Sequence, residues 1–177
     1  MSDVVTSKVV IVDDSINKSL SFVISGDPPV QQRPRINFKR VFKKVHDPSS
    51  LKKKIWKKSL SNALVDNGVT AFPFFTDEDT DNMQSDGLTI DVVFYVRRRR
   101  LDYRSKMGTL FLKDDVQKYP GRKDVDNMLK FVMDASHDVL YDDDKCIVEI
   151  RAFKKFVPEQ EKGRVGYTTV FITTKDE

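Results

Sequence analysis

Acidic side chains that could hold a metal ion lie in two clusters in the second half of the chain. The stretch Lys123-Asp124-Val125-Asp126-Asn127-Met128-Leu129-Lys130 places two carboxylates two residues apart, directly before an apolar run with helical spacing. Residues i and i+2 of an extended approach point the same way, so Asp124 and Asp126 can converge on one point. Three more aspartates, at 142–144, precede a predicted strand, and a short helix followed by a turn can fold them back beside the first pair. Hard oxygen ligands of this kind suit Mg²⁺ or Mn²⁺.

The same residues also allow a purely structural interpretation. Aspartate at a helix start satisfies unpaired N–H groups and complements the helix dipole, and Asp126 at the N-cap would leave Lys130 as its favourable i,i+4 partner. In the chemical interpretation, Lys130 would instead stabilise charge on a phosphate. Spacing alone leaves both open, although five carboxylates close together would repel unless a cation lies among them.

The composition of the chain indicates what kind of partner it binds and in which compartment it works. The 177 residues fit one domain, and a net charge of +4 in a chain with 33% charged residues favours a polyanionic partner such as nucleic acid. The single cysteine, Cys146, cannot form an intrachain disulfide, and His46 and His137 are far apart, so a metal would have to sit on oxygen. No apolar run is long enough to span a membrane and no signal peptide is visible, which predicts an intracellular protein with no membrane partner.

Hydrophobic periodicity predicts an α/β (α+β) domain with a mixed sheet of about four strands and two main helices. The predicted order is β-α-β-α-β-β. Its elements are strands at 19–25, 88–96, 146–156 and 166–174, with helices at about 50–67 and 126–137. Residues 1–17 are predicted to be a flexible N-terminal arm or an edge strand, and residues 18–175 a single domain. Residues 76–87 are predicted to form an acidic polar loop.

Several basic and aromatic groups have two possible roles. The first helix is predicted to bury Leu51, Ile55, Trp56, Leu60, Ala63 and Leu64, and to present Lys52, Lys53, Lys57 and Lys58 as a solvated face or a DNA backbone contact. Four arginines, Arg97, Arg98, Arg99 and Arg100, leave a strand and suit phosphate contact. Arg33 and Arg35 could pair with the acidic cluster or with phosphate. Phe74, Phe75 and Tyr103 could pack, or could stack on unpaired bases.

The acidic pattern resembles the core of the RusA family of Holliday-junction resolvases. That core reads Asp-x-Asp-Asn-x-x-Lys, a further Asp, and then Tyr-x-Asp-Asp-x-x-Ile before a strand. Its positions here are Asp124, Asp126, Asn127, Lys130, Asp134, Tyr141, Asp143, Asp144 and Ile147. The upstream residues 28–35, which contain Arg-Pro-Arg, and Asp47-Pro48-Ser49 are similar to the family as well, so the resemblance covers roughly residues 18–175.

The resemblance implies a homodimeric endonuclease that cuts paired strands of four-way or otherwise branched DNA with Mg²⁺, for which Mn²⁺ could substitute, leaving 5′-phosphates. By the family pattern, Asp124, Asp126 and Asp144 would be the metal ligands and Lys130 the catalytic lysine. Asp143 remains an alternative to Asp144. Cys146 stands where the family usually has glutamine, and Lys123 where proline is frequent. The alternatives are a nuclease for flaps or forks and a catalytically silent DNA-binding protein.

Overall fold

The computed structural model describes residues 8–13, 18–32, 35–37, 44–76, 85–116, 118–121, 123–161 and 165–176. In chain order the strands and α-helices are β1 (Lys8–Asp13), β2 (Lys18–Ser25), β3 (Arg35–Asn37), β4 (Lys44–His46), α1 (Ser50–Asp66), β5 (Ser85–Val96), β6 (Tyr103–Lys106), β7 (Thr109–Leu112), α2 (Val125–Ser136), β8 (Ile147–Phe156) and β9 (Tyr167–Asp176). Short 3₁₀ helices occur at Arg100–Asp102, Asp144–Cys146 and Glu159–Glu161.

One mixed sheet organises the fold. Five strands lie in the order β1-β2-β9-β5-β8, with β5 and β8 parallel and the other neighbours antiparallel. Along β5 alternate residues are buried, because successive side chains of a strand point to opposite faces. The α+β class and the predicted order β-α-β-α-β-β, formed by β2, α1, β5, α2, β8 and β9, are confirmed.

Both helices pack with the sheet in one hydrophobic cluster. Helix α2 contributes Met128, Phe131, Val132 and Ala135, all buried, to a core that also contains Leu20, Phe22 and Phe94 of the sheet. The rings of Trp56 in α1 and Phe131 in α2 meet edge to face, with centroids 5.8 Å apart. This contact joins the two helices at Phe131, which lies between Asp126 and Asp134 in the sequence of α2. No helix in the described ranges is both long and apolar enough to cross a membrane.

The predicted inner face of α1 is partly wrong. Trp56, Leu60, Ala63 and Leu64 are buried, but Leu51 is 67% exposed and Ile55 52% exposed. Five helical steps separate Leu51 from Trp56, which turns the two side chains about 140° apart around the helix. They therefore cannot share the face that meets the core.

Two small hairpins lie outside the predicted set of elements. Strand β1 is an edge strand paired with β2, which is one of the two alternatives predicted for residues 1–17. Strands β3 and β4 form one small hairpin, and β6 and β7 form another within the connection from β5 to α2. The second hairpin begins directly after the four arginines, so the basic connection has a regular structure of its own.

Candidate active site

Asp124 and Asp126 lie at the start of α2, where the backbone fixes their positions. Asp124 occupies the N-cap position with an extended backbone (φ −78°, ψ 135°), and its carbonyl accepts the hydrogen bond from Met128 N at 3.2 Å. Its carboxylate makes no capping hydrogen bond. The helix therefore begins two residues earlier than it would with Asp126 at the N-cap, and Asp126 lies inside the first turn. Both side chains are exposed.

The backbone just before Asp124 is held from two sides. The ammonium of Lys123 donates a hydrogen bond to Pro28 O, while Lys123 O accepts one from Lys154 Nζ on β8. Burial of Lys123 disfavours its charged form and lowers the pKa of its ammonium group, although the charge of Asp27 works in the opposite direction. The approach to α2 is thus tied both to the Pro28–Gln32 segment and to the sheet.

The Pro28–Gln32 segment connects the starts of the two helices. Gln31 N donates to Asn127 O in the first turn of α2 at 2.9 Å, and Gln32 N donates to Ser49 Oγ at the N-cap of α1 at 2.9 Å. Ser49 N in turn donates to Asp47 Oδ1 at 2.8 Å. The proline-rich residues and the Asp-Pro-Ser sequence therefore form one structural unit that holds the N-terminus of α2.

Asp143 and Asp144 have different surroundings. Asp143 caps the 3₁₀ helix Asp144–Cys146: its Oδ1 accepts from Lys145 N at 3.0 Å and its Oδ2 lies 3.6 Å from Lys145 Nζ. The backbone N–H of Lys145 is the main reason that the pKa of Asp143 is lowered. No lysine or arginine in the described ranges forms an ion pair with Asp144, whose side chain is exposed. Asp143 is thus held by the backbone and side chain of Lys145, whereas no lysine or arginine of the described residues pairs with Asp144.

The buried phenol of Tyr141 lies between the turn that carries Asp144 and helix α2. Its hydroxyl donates to Met133 O at 3.1 Å. Burial raises the pKa of Tyr141, and the acidic side chains of Asp144 and Asp134 raise it further. Asp144 and Asp134 therefore both act electrostatically on the same hydroxyl, although they come from different elements.

Gly87 allows β5 to approach the turn that carries Asp144. Its φ is +96°, and a Cβ at this position would lie 2.7 Å from both Cys146 O and Val148 Cγ1. Only glycine accommodates both this backbone conformation and this distance. The close approach fixes the backbone two residues after Asp144.

Lysines of α1 pair with an acid of α2, with one in the turn that follows α2, and with one just before α1. Lys53 Nζ lies 2.8 Å from Asp134 Oδ2 and 3.1 Å from Asp47 Oδ2, and Lys57 Nζ lies 2.6 Å from Asp138 Oδ2. Lys53 and Lys57 are thus neither simply solvated nor free for DNA, whereas Lys52 and Lys58 are exposed.

These pairs leave the exposed lysine of α2 without a competing partner. In the described part of the chain no ion pair or hydrogen bond engages the side chain of Lys130, although Asp126 and Asp134 lie four residues away on either side. The i,i+4 pair between Asp126 and Lys130, expected from the structural interpretation, does not form. Asp134 is paired with Lys53 instead.

The three proposed ligands do not form a ready metal site. Within the described ranges, no three Asp, Glu, His or Cys side chains are grouped so that they could hold a metal ion. The assignment of Asp124, Asp126 and Asp144 as ligands therefore stays a prediction. Their donor chemistry fits a hard cation, because exposed carboxylate oxygens that no lysine or arginine neutralises are suited to Mg²⁺.

An open, basic groove adjoins this acidic end of α2. A cavity of about 590 Å³ is lined by the four arginines and by Lys123, the residue before Asp124. Its further lining residues are Asp27, Val96, Asp102, Tyr103, Leu110, Pro120, Gly121 and Phe156. The groove therefore extends from the end of β5 to the start of α2.

The four arginines are not equivalent. Arg98 stacks on the ring of Phe156, 3.8 Å from its centroid, with Nε 3.6 Å from Glu159. Arg99 Nη2 lies 3.0 Å from the buried carboxylate of Asp102. Arg97 and Arg100 are exposed, and no ion pair in the described ranges engages them. Two arginines thus build the groove wall, and two remain available to a ligand.

The structure bears differently on the other residues that were predicted to contact DNA. Arg33 lies outside the described residues, and Arg35 lies in β3 without a described side chain. Phe74 and Phe75 are buried, so the idea that they stack on bases is wrong. Their backbone N–H groups donate to Val139 O and Leu140 O, which places them beneath the end of α2. Tyr103 lines the groove.

Comparison with known proteins gives one match. The model of the family described as Endodeoxyribonuclease RusA matches residues 25–166, well over half of the chain. Neither the curated proteins nor the solved structures contain a match. The matched region includes the Pro28–Gln32 segment, both helices, both acidic clusters and the basic groove.

Proposed function

Because the chain belongs to the RusA endodeoxyribonuclease family, we propose that it resolves four-way DNA junctions by paired, Mg²⁺-dependent hydrolysis of phosphodiester bonds. Membership implies an endonuclease with Holliday-junction resolvase activity. The metal, the residues that hold it, the paired incisions and the dimeric state are the parts that we add.

The position of Asp124 carries the proposal. This carboxylate stands at a helix N-cap without capping it, next to the lysine that closes the basic groove. Exposed carboxylates at the end of a groove would repel a DNA backbone, and a bound divalent cation reverses that effect. Acidic residues inside a basic surface are therefore explained by a metal-assisted reaction on a polyanion.

Each proposed residue has a defined task. Asp124, Asp126 and Asp144 would hold Mg²⁺, which would supply charge neutralisation at the scissile phosphate and activation of a water. Lys130 donates a hydrogen bond to an oxygen of that phosphate and stabilises the charge that develops in the transition state. Mn²⁺ prefers similar oxygen ligands, so it would replace Mg²⁺ at this site. Asp143 keeps the turn in shape through Lys145 N, which is why we assign Asp144 as the third ligand.

The groove supplies the contacts to the DNA backbone. Arg97 and Arg100, which no ion pair in the described ranges engages, present their guanidinium groups there. Arg98 and Arg99 act indirectly, since they shape the wall through Phe156 and Asp102. We assign Arg33 and Arg35 to phosphate contact as well, because the Pro28–Gln32 segment that precedes them is bound to the start of α2.

Symmetry of the substrate supports a homodimer. Two incisions in strands related by a two-fold axis require two active sites with the same relation, which a C₂ dimer provides. An enzyme of this kind acts in a compartment that contains DNA.

One assay tests this function. Purified protein is incubated with labelled four-way junction, flap and linear duplex DNA, in Mg²⁺ or in EDTA. We expect symmetric nicks confined to the junction, only with Mg²⁺, and ends that carry 5′-phosphates. Cleavage of flaps in preference to junctions would identify a nuclease for other branched DNA. Junction binding with no cleavage in either Mg²⁺ or Mn²⁺ would identify a silent binding protein.

A further inference from the structure

The hairpin formed by β6 and β7 carries a fully exposed methionine at its tip. Lys106 pairs with Thr109, so the turn consists of Met107 and Gly108, with φ of +51° and +76°. Two-residue turns with positive φ at both positions favour Asn-Gly, because a Cβ is unfavourable in the left-handed region. Met107 is nevertheless there, with 98% of its surface exposed. An apolar residue kept at an unfavourable, solvent-exposed position points to a function.

The base of this hairpin is firmly held. The buried carboxylate of Asp102 accepts from Arg99 N at 3.1 Å, and Asp102 O accepts from Lys113 N at 3.0 Å, so one residue joins both ends of the hairpin. Tyr103 Oη donates to Glu159 Oε1 at 3.3 Å. Burial and the charge of Glu159 both raise the pKa of the Tyr103 phenol, which keeps the hydroxyl protonated as a donor. The tip therefore projects from a fixed base.

The surface of the hairpin combines apolar and cationic groups. Leu101, just before it, is 75% exposed, and Leu110 and Phe111 are 44% and 46% exposed. Arg104 and Lys106 are exposed on the neighbouring strand β6, and Tyr103 and Leu110 line the basic groove. Cations suit phosphates, and apolar side chains suit the faces of bases that are not fully stacked. At a branch point of DNA, phosphates and incompletely stacked base faces lie next to each other.

We propose that the hairpin Tyr103–Leu112 is the element that recognises the branch point, with Met107 inserted against bases that lose their stacking partner there. The proposal rests on the proposed function, because it assumes that branched DNA occupies the groove. Arg97 and Arg100 would hold the backbone of the same arm. Continuous duplex has no open stack for Met107, so the hairpin distinguishes branched DNA from linear DNA.

The experiment places 2-aminopurine beside the branch point of a four-way junction and measures its fluorescence in EDTA, where no cleavage occurs. The wild type and Met107→Leu should raise the fluorescence, because both insert an apolar side chain. Met107→Gly should remove the rise and lower the preference for junction over duplex roughly tenfold, as expected for loss of one buried apolar side chain. Val65→Ser, which changes an exposed apolar residue of α1, should behave as wild type.

Misfolding does not explain a loss in Met107→Gly, since glycine adopts this turn more readily than methionine and the thermal midpoint should not fall. An unchanged fluorescence rise and preference in Met107→Gly would overturn the role of the hairpin but not the proposed function. A wild type that binds junction no better than duplex would instead contradict the proposed substrate. Conversion of a dimer to a monomer by Met107→Gly would overturn the proposal too, because the tip would then contact a second copy of the chain.

Discussion

The ammonium group of Lys53 lies 2.8 Å from the carboxylate of Asp134, although 81 residues separate them in the chain. Burial disfavours the charged form of Lys53, but hydrogen bonds to Asp134 and Asp47 outweigh it and raise the pKa of the ammonium group. Lys53 therefore stays charged at neutral pH. Without it, the nearest cation on the surface of α2 for Asp134 would be Lys130, four residues earlier.

Replacement of Lys53 by methionine should therefore slow cleavage by drawing Lys130 towards Asp134. An i,i+4 ion pair stabilises by about 0.2–0.5 kcal/mol, and a lysine before the acid is the weaker order, so single-turnover measurements should show a loss of rate of at most about twofold. The double variant Lys53→Met with Asp134→Asn should recover the wild-type rate, because the competing carboxylate is gone.

Lys57→Met is the matched control, since it breaks the analogous pair with Asp138 one turn further along α1. It should leave the single-turnover rate unchanged. If the double variant stays as slow as Lys53→Met, the lysine merely supports the packing of α1 on α2.

The two candidates for the third ligand can be separated by their asparagine variants. Asp144→Asn should reduce cleavage about 100-fold or more, because it removes a charged metal ligand. Asp143→Asn should retain most activity and lose a little thermal stability, because an amide oxygen still accepts from Lys145 N but no longer attracts the Lys145 ammonium group.

Asp142→Asn provides the control for this pair, since the residue lies in the same exposed turn and is assigned no role. The assignment is reversed if Asp143→Asn loses activity and Asp144→Asn keeps it. Isothermal titration with Mg²⁺ or Mn²⁺ measures the metal affinity of each variant and so shows independently which residue is the ligand.

The basic groove should determine how binding depends on salt. Arg97→Ala with Arg100→Ala removes the two arginines that no described side chain neutralises. Each lost phosphate contact should reduce the slope of log K against log salt by about 0.9. Replacement of Arg98 or Arg99 is a poor probe, because it also disturbs Phe156 or leaves Asp102 buried without its partner. An unchanged slope in the double variant would remove this groove from the DNA interface.

Acid should destabilise the fold in part through Asp47. The N–H of Ser49 is the main cause of the lowered pKa of this carboxyl group, and Lys53 adds to it. A carboxyl whose pKa is lower in the folded state stabilises that state above its unfolded value of 3.8, and the contribution is lost as pH falls through the lowered pKa. Urea denaturation should therefore find Asp47→Asn less stable than wild type at neutral pH. The difference should shrink below pH 3.8, and a constant difference would contradict this origin.

Local patterns predicted the main elements of the fold well, because the strands and helices carry clear periods of two and of 3.6 residues. The β6–β7 hairpin escaped prediction, since its turn is Met107-Gly108 rather than Asn-Gly and its strands have no buried alternation. Leu51 and Ile55 were assigned to the wrong face because apolar residues occur on both sides of α1.

Residue type and spacing singled out Asp124, Asp126 and Lys130, and the family resemblance singled out Asp144; their assignment as site residues stays a prediction. The partners of the residues around them could not be predicted. The ion pair of Lys53 with Asp134 and the hydrogen bond of Lys123 with Pro28 join residues far apart in sequence. The periodicity of hydrophobic residues along the chain does not predict such contacts. The different surroundings of Asp143 and Asp144 likewise depend on how one turn packs.

The most direct test of the central claim is the variant Asp126→Asn, with junction cleavage and junction binding measured in parallel. An exposed carboxylate in the first turn of α2 is not needed for folding, so the thermal midpoint should stay close to that of wild type. We predict that cleavage in Mg²⁺ falls about 100-fold or more while binding to the junction is retained. Cleavage by Asp126→Asn at the wild-type rate would contradict the assignment of this acidic end of α2 as the active site.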